Sequence, residues 1–321
     1  MKQFDSAFQL MYEPRGLDYN YKIEIAENLE THCLPSYFFQ QEREIVSAFE
    51  CAVNAARSLY DINHKLVLCL SGGLDSQAML SAFSESGVPF KACFFRFNDN
   101  LNGHELASLF DFCDAFNIDI EVIDFDILDF FESGKFYDVA VLSKTNSPLF
   151  AAHAWMAEKT DGFPVISGQA WSIQRDFGRI RNLVTPEVFE KNMIYIPSLK
   201  EYAVSNYLSI KGRECTSHFF HKEKKMVRAF WSNPYWLNYA NIAKFNSAYE
   251  YQHKYFAYLS SGFPLMAPSR MAKLTGFERV HLHYQKKYNS TDQYYFNELF
   301  RSPLEKLFPI RKELKLKILL S

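Results

Sequence analysis

Apolar positions in this chain alternate between two spacings. Leu66–Leu70, Phe90–Phe97 and Phe163–Ile166 are short, largely apolar runs of strand length, and Ile118–Ile123 is a fourth strand-length segment in which Asp119 and Glu121 alternate with apolar residues. Strands apolar at successive positions belong in parallel sheets covered on both faces. Between them the period changes to that of a helix. Residues 41–60 put Ile45, Phe49, Val53, Ala56 and Leu59 on one face. A second helix follows Ser76, runs to about Ser86 and is stopped by Gly87-Val88-Pro89. A third runs from His104 to Phe116 with Leu106, Leu109, Phe110, Phe112 and Cys113 inward. Thr145-Asn146-Ser147-Pro148 opens a fourth, with proline at its first position. This rhythm predicts an α/β fold with a doubly wound parallel sheet. Its ligand site should lie at the carboxyl ends of the strands.

The flanks read differently. Phe8–Tyr12 and Tyr21–Ile25 bracket a turn-rich Glu13–Asp18, a hairpin pattern that predicts a small N-terminal β element. Residues 183–260 read as helical and polar-aromatic. Residues 301–321 read as a basic amphipathic helix or helix pair, with Leu304, Leu307, Ile310, Leu314 and Leu316 closing the core. The expected division is 1–60 (hairpin and helix), 61–180 (α/β core) and 181–321 (helical extension completing a substrate site).

Composition sets limits. The chain has 321 residues, 48% hydrophobic and 22% charged, enough for a large core. A net charge of −2 gives no electrostatic case for nucleic acid. Phe (31) and Tyr (19) are abundant while Gly (12) is scarce, which implies an aromatic core and no long flexible linker. The six cysteines are dispersed without a Cys-x-x-Cys pair, as expected of buried free thiols in a reducing compartment. No signal-peptide pattern opens the chain and no apolar run reaches membrane-spanning length. The expectation is a soluble cytoplasmic protein.

The chemistry concentrates at Leu70-Ser71-Gly72-Gly73-Leu74-Asp75-Ser76. Strand, glycine turn and helix in immediate succession make an anion site. Residues without Cβ let the backbone bend tightly and its amides approach a phosphate, and the helix N-terminus adds positive charge. Ser71 and Ser76 add hydroxyl donors. Asp75 would repel phosphate, so its place in such a nest is explained by a divalent cation shared with the phosphates. A plain β-turn-α connection with two capping serines is the simpler alternative. Five fixed positions in Ser-Gly-Gly-x-Asp-Ser argue against it, since at average residue usage that string arises in roughly one chain in a thousand of this length or fewer.

On those residues the chain resembles the PP-loop (N-type) ATP pyrophosphatases, the adenine nucleotide alpha hydrolase-like superfamily. The Leu-Ser-Gly-Gly-Leu-Asp-Ser form is most similar to the synthetase domain of asparagine synthetase. The resemblance implies ATP and Mg2+ as cofactors, with Asp75 as the metal ligand and Leu70–Ser76 around the phosphates. It also implies adenine against the end of the second strand, at Phe95 and Arg96; a surface salt bridge is the other reading of Arg96. A Ser-Pro before a helix, then a strand ending at Ser167-Gly168, matches the same family and adds those two residues to the site. There the match stops. Gln169 stands where the family carries an acid, and Ala170-Trp171-Ser172-Ile173 lacks its Asp-Glu pair, which argues against asparagine as the product. Asp176, with Gln174, Arg175 and Arg179 nearby, is the alternative source of charge. Further on, Pro268 precedes a helix-like segment whose Arg270 and Lys273 are candidates to neutralise the leaving pyrophosphate. The family's glutaminase domain, with its cysteine after Met1, has no counterpart: position 2 is Lys. An amine would come from solution or from a separate ammonia-supplying subunit.

The resulting expectation is an AMP-forming ligase that activates a small carboxylate for amide formation. Two alternatives stay open: a PP-loop enzyme modifying a nucleic-acid base, and a non-catalytic nucleotide-binding protein. Elsewhere, Asp124, Asp126 and Asp129 read as an acidic helix start rather than as metal ligands. Cys215, His218 and His221 have helical spacing, but no fourth ligand completes a zinc site.

Overall fold

Four parallel strands carry the centre of the molecule: β3 (Leu66–Cys69), β4 (Lys91–Phe97), β5 (Ile120–Phe125) and β6 (Phe163–Ile166), in spatial order β5-β4-β3-β6. The computed structural model describes residues 21–25, 37–40, 47–143, 145, 147–168, 192–195, 203–222, 225–226, 229–230, 233, 235, 247–266, 276–292, 295–296, 299–300 and 316–320. The chain passes β3, β4, β5 outward in one direction, then returns to place β6 on the far side of β3. The order therefore reverses between β3 and β6, and a crevice opens at their carboxyl ends.

Successive residues of each strand enter opposite cores, as the pleat requires. Leu66 and Leu68 of β3, Ala92 and Phe94 of β4, and Phe163 and Val165 of β6 face one cluster. Val67, Cys93, Phe95 and Phe97 face the other. The first face is covered by α1 (Ala48–Ile62), α2 (Leu74–Ser86), α3 (Gly103–Ala115) and α8 (Ser247–Ser260). The second is covered by α4 (Ile127–Glu132), α5 (Lys135–Ser143), α6 (Pro148–Glu158), α7 (Ala203–Ile210) and α9 (Glu278–Lys287). Both faces being buried explains the continuous apolar runs, and the doubly wound parallel sheet is the one the periodicity predicts.

The helix boundaries follow local chemistry. Ser47 caps α1 by accepting from the Glu50 amide at 3.4 Å. Asp126 caps α4 by accepting from the Asp129 amide at 2.9 Å, so the acidic run is a helix start as expected. Gly87, with φ of 71°, ends α2 in the left-handed conformation that glycine tolerates best. Asn102 is buried and bridges the end of β4: its Oδ1 accepts from the Phe97 amide and its Nδ2 donates to the Phe95 carbonyl, both at 2.8 Å. That pair of hydrogen bonds fixes where α3 begins.

The flanks depart from the sequence pattern. Tyr21–Ile25 forms β1, but its antiparallel partner is β8 (Leu316–Leu320), not the Phe8–Tyr12 segment, which lies outside the described residues. The expected C-terminal helix is therefore a strand over its last residues. A five-residue segment that is apolar except for Lys317 fits either period, and only its partner decides. Similarly β2 (Tyr37–Gln40) pairs antiparallel with β7 (Asn192–Tyr195), inside the stretch read as helical. Helix α1 begins at Ala48 rather than near 41. No helix among the described residues is long and apolar enough to cross a membrane.

Candidate functional site

The crevice at the carboxyl ends of β3 and β6 is a cavity of about 340 Å³. The whole Leu70–Ser76 loop lines it, together with Phe95, Ser167 and Gly168. The loop is tied to the sheet by the Leu70 amide, which donates to the Cys93 carbonyl at 2.9 Å. Ser76 Oγ accepts from the Ser71 amide at 2.9 Å and lies 3.0 Å from Ser71 Oγ; the Gly73 amide donates to Ser71 Oγ at 3.3 Å. The two hydroxyls thus hold the turn closed. Gly73 is the N-cap of α2, and no side chain caps that end. The first-turn amides of α2 remain the natural partners of an anion.

The two glycines do different jobs. Neither adopts left-handed φ. A Cβ on Gly72 would sit 2.5 Å from the Glu105 carbonyl oxygen and 3.0 Å from its Cα, so Gly72 is required by the packing of α3 on the loop. A Cβ on Gly73 would meet only Ser71 Oγ, at 3.3 Å. Close approach, rather than a backbone bend, is what demands glycine at 72.

Asp75 is the loop residue tied to a distant helix. Lys254 Nζ lies 2.5 Å from its Oδ2, and the Tyr258 hydroxyl donates to Oδ1 at 2.6 Å. Both partners come from α8. Lys254 is 4% exposed, so this is a buried ion pair at the mouth of the loop. Tyr258 is held well above the usual phenol range by burial and by the Asp75 carboxylate. Tyr251, on the same helix face and lining the same cavity, is pushed up to about 12 by burial, with Asp75 and Glu105 adding to it.

Glu105 lines the cavity beside Gly72. Burial and the nearby Glu278 carboxylate push it up to about 8. His153, on α6, lines the opposite, aromatic wall between Phe150 and Phe277; burial pushes it down to about 4, so it is neutral in ordinary conditions. At the β6 end, Gly168 has φ of 67°, and a Cβ there would meet His218 Cδ2 at 2.7 Å.

Arg96 is not brought to the cavity. It pairs with Asp124, its register partner on β5, through two bonds of 2.7 and 2.9 Å on an exposed face. Hydrogen bonding to Asp124 raises its pKa and lowers that of Asp124. The other reading, a surface ion pair, describes it. Arg270, Lys273, Gln169, Arg175, Asp176 and Arg179 lie outside the described residues. His218 is bonded to Ser217, and among the described residues no three His, Cys, Asp or Glu side chains gather as a metal site. The Cys69 thiol is held well above its usual range by a hydrogen bond with Cys93 and by burial, and burial pushes Cys215 up to about 11, which leaves both poor nucleophiles.

The sequence reading missed Lys254, Tyr258 and Glu105, and weighed His218 only as a zinc ligand. One signal for α8 was present: Tyr251, Lys254 and Tyr258 share a face at i, i+3 and i+7, and a lysine on an aromatic face is an anomaly. Nothing local marks Glu105, whose meaning comes from the loop it touches.

No protein-family model matches the sequence, and no curated protein matches it. Among solved structures, the chain is similar to NMN synthetase from Francisella tularensis, with a TM-score of 0.34 and 14% sequence identity, over 75% of this chain and 93% of that one.

Proposed function

We propose that this protein is an ATP-using, AMP-forming ligase that activates a carboxylate in the cavity at the carboxyl ends of β3 and β6. One observation carries the reading: a helix N-terminus without a side-chain cap, its loop closed by two serines, lines a cavity into which α8 delivers a buried lysine against the loop's only acid. Amides plus a helix dipole bind phosphate oxygens, and a lysine able to exchange an acid for a phosphate adds mobile charge. The aromatic wall around Phe150, Phe277 and neutral His153 suits a planar heterocycle.

Asp75 fits the metal role that the loop implies. Oδ2 accepts from Lys254 and Oδ1 from Tyr258, each oxygen keeping a lone pair, and Mg2+ characteristically takes one or two carboxylates with the rest of its shell from phosphates and water. When bound there, the ion would offset the charge of the triphosphate.

The chain's own residues then account for the reaction. The Gly72–Ser76 amides hold the terminal phosphates and leave the α-phosphorus facing the crevice. A carboxylate oxygen of the substrate attacks it, the bond to pyrophosphate breaks, and an acyl-adenylate forms. Lys254 neutralises the departing pyrophosphate, the role the sequence assigned to Arg270 and Lys273. An amine, from solution or a separate subunit, then attacks the acyl carbon; the bond to AMP breaks and the nitrogen loses a proton. Glu105, protonated below its pKa of about 8, is the cavity group suited to take it once ionised, so this step should quicken as pH rises through 8.

The test is to incubate the full chain with ATP labelled at the α-phosphate, Mg2+ and a panel of carboxylates and amines. AMP with an equal yield of pyrophosphate, dependent on one carboxylate, is the expected result. ADP as product, or ATP bound without turnover across the panel, would overturn the ligase reading.

A further inference from the structure

The cavity continues from the loop along α3, where Glu105, Ser108, Asp111 and Phe112 all line it. From Glu105 to Asp111 the helix rises by about 9 Å. Burial acts on Glu105 at the inner end, while Asp111 at the outer end is exposed. The glycine pair fixes the inner end. Gly72 lies against the Glu105 backbone, where a Cβ would come within 3.0 Å of the Glu105 Cα. The Glu105 carboxyl lies against Gly276, another cavity residue, where a Cβ would sit 2.7 Å from Oε2. Gln77 stands one helical turn beyond Gly73, its amide donating to the Gly73 carbonyl at 3.1 Å. Gln77 is 5% exposed and lines the same cavity.

The acceptors on this side lack donors. Gln77 Oε1 is buried and has no hydrogen-bond partner among the described residues. An unmet buried acceptor costs stability, and such groups call for a functional explanation. Among the described residues no lysine or arginine pairs with Glu105 or Asp111, and the lysine that lines the cavity, Lys254, is on Asp75. What stands open is an amide oxygen and two carboxyl groups beside the buried ring of Phe112. Oxygens of this kind call for N–H donors of positive charge, and the ring calls for methylenes. A divalent cation would need more ligands at one point, and no three acids, histidines or cysteines gather as a metal site among the described residues.

We propose that this side of the cavity binds the amine co-substrate and that the amine is a linear aliphatic diammonium ion. One nitrogen donates to Gln77 Oε1 and to the Glu105 carboxylate, and the other faces Asp111 at the mouth. Calling the ligand a co-substrate rests on the ligase reading; its binding does not. The inner nitrogen lies beside the carboxylate that takes its proton, and the outer charge fixes which end of the chain enters first.

The test is a melting-temperature titration of the full chain at pH 8.5, without nucleotide, using the chlorides of putrescine, cadaverine, butylamine and tetramethylammonium. A ligand that binds only the folded state raises its melting temperature. We expect both diamines to raise it and tetramethylammonium, which has no N–H, to leave it unchanged. Butylamine should bind about threefold more weakly than the diamines, since the outer pair is exposed. Asp111→Asn should bring the diamines to the butylamine level; its side chain is exposed, so this variant decides if the others do not fold. Glu105→Gln should weaken all three amines about tenfold, the loss of one hydrogen bond to a charged group. Gln77→Met removes the acceptor at similar volume and should weaken them as well. It should also raise the melting temperature of the ligand-free protein, which a purely structural Gln77 would not allow. Equal responses to diamines and tetramethylammonium, or diamine binding that survives both Glu105→Gln and Asp111→Asn, would overturn the assignment. So would a Glu105→Gln protein that loses affinity for ATP and keeps it for amines, which would make this the sugar site. AMP formation from ATP with no diamine response would overturn this inference alone; diamine binding without AMP formation would overturn the ligase reading and leave the site standing.

Discussion

Lys254 Nζ stands 2.5 Å from Asp75 Oδ2, across 179 residues of sequence, and Lys254 is almost fully buried. The pair joins α8 to the Leu70–Ser76 loop and makes the loop's charge depend on a helix far along the chain. Removing one partner of a buried pair strands the other, at a cost of about 3–5 kcal/mol. The Asp75 side chain is 18% exposed and keeps the Tyr258 bond, so Lys254→Met should lower stability by less than that, by about 1–3 kcal/mol. Asp75→Asn with Lys254→Met should be markedly more stable than Lys254→Met alone. Urea unfolding of the two singles and the double checks this; additive losses would mean that the two side chains are not coupled.

The loop glycines should separate in the same assay. Gly72→Ala drives a methyl into the Glu105 backbone and should cost about 1–3 kcal/mol, as overpacking does. Gly73→Ala meets only a serine hydroxyl and should cost less than about 1 kcal/mol. A Gly72→Ala protein with wild-type stability would show that α3 does not bear on the loop.

Glu105 makes stability fall as pH rises. Its folded pKa, about 8, is above the unfolded value of 4.5, so the folded state holds the extra proton. The associated stability is full below pH 4.5 and is lost as pH climbs through 8. Glu105→Gln should therefore raise the melting temperature at pH 8.5 and leave it nearly unchanged at pH 5. Cavity water screens the carboxyl, so the gain should be about 2 kcal/mol rather than the full linkage value. Equal shifts at both pH values would contradict the assignment.

His153 works in the opposite direction. Its folded pKa, about 4, is below the unfolded 6.5, so protons favour the unfolded chain. Stability is full above pH 6.5 and declines as pH falls towards 4, by up to about 3 kcal/mol. His153→Phe, which keeps the ring in its aromatic setting, should flatten the loss between pH 6.5 and 4. Unfolding curves at those two values decide it.

Arg96 should matter little. It and Asp124 form an exposed pair between β4 and the edge strand β5, and solvent and salt screen such pairs. Arg96→Ala should leave both nucleotide affinity and stability close to those of the wild type. A loss of nucleotide binding would return Arg96 to the site.

The apolar periods and the Ser71–Ser76 string determined the parallel sheet, its order of construction and the position of the loop at a strand end. These are local facts: a strand buried on both faces must be apolar throughout, and an anion nest needs its donors within a few residues. Tertiary structure alone decided what meets the loop. Asp75 finds Lys254 and Tyr258, Gly72 finds Glu105, and Gly168 finds His218 because helices and edge segments from distant parts of the chain converge where the strand order reverses. The same holds at the flanks, where Leu316–Leu320 became a strand because β1 was there to pair with it. Period-based reading sees one element at a time; burial, ion pairing and shifted protonation arise only between elements.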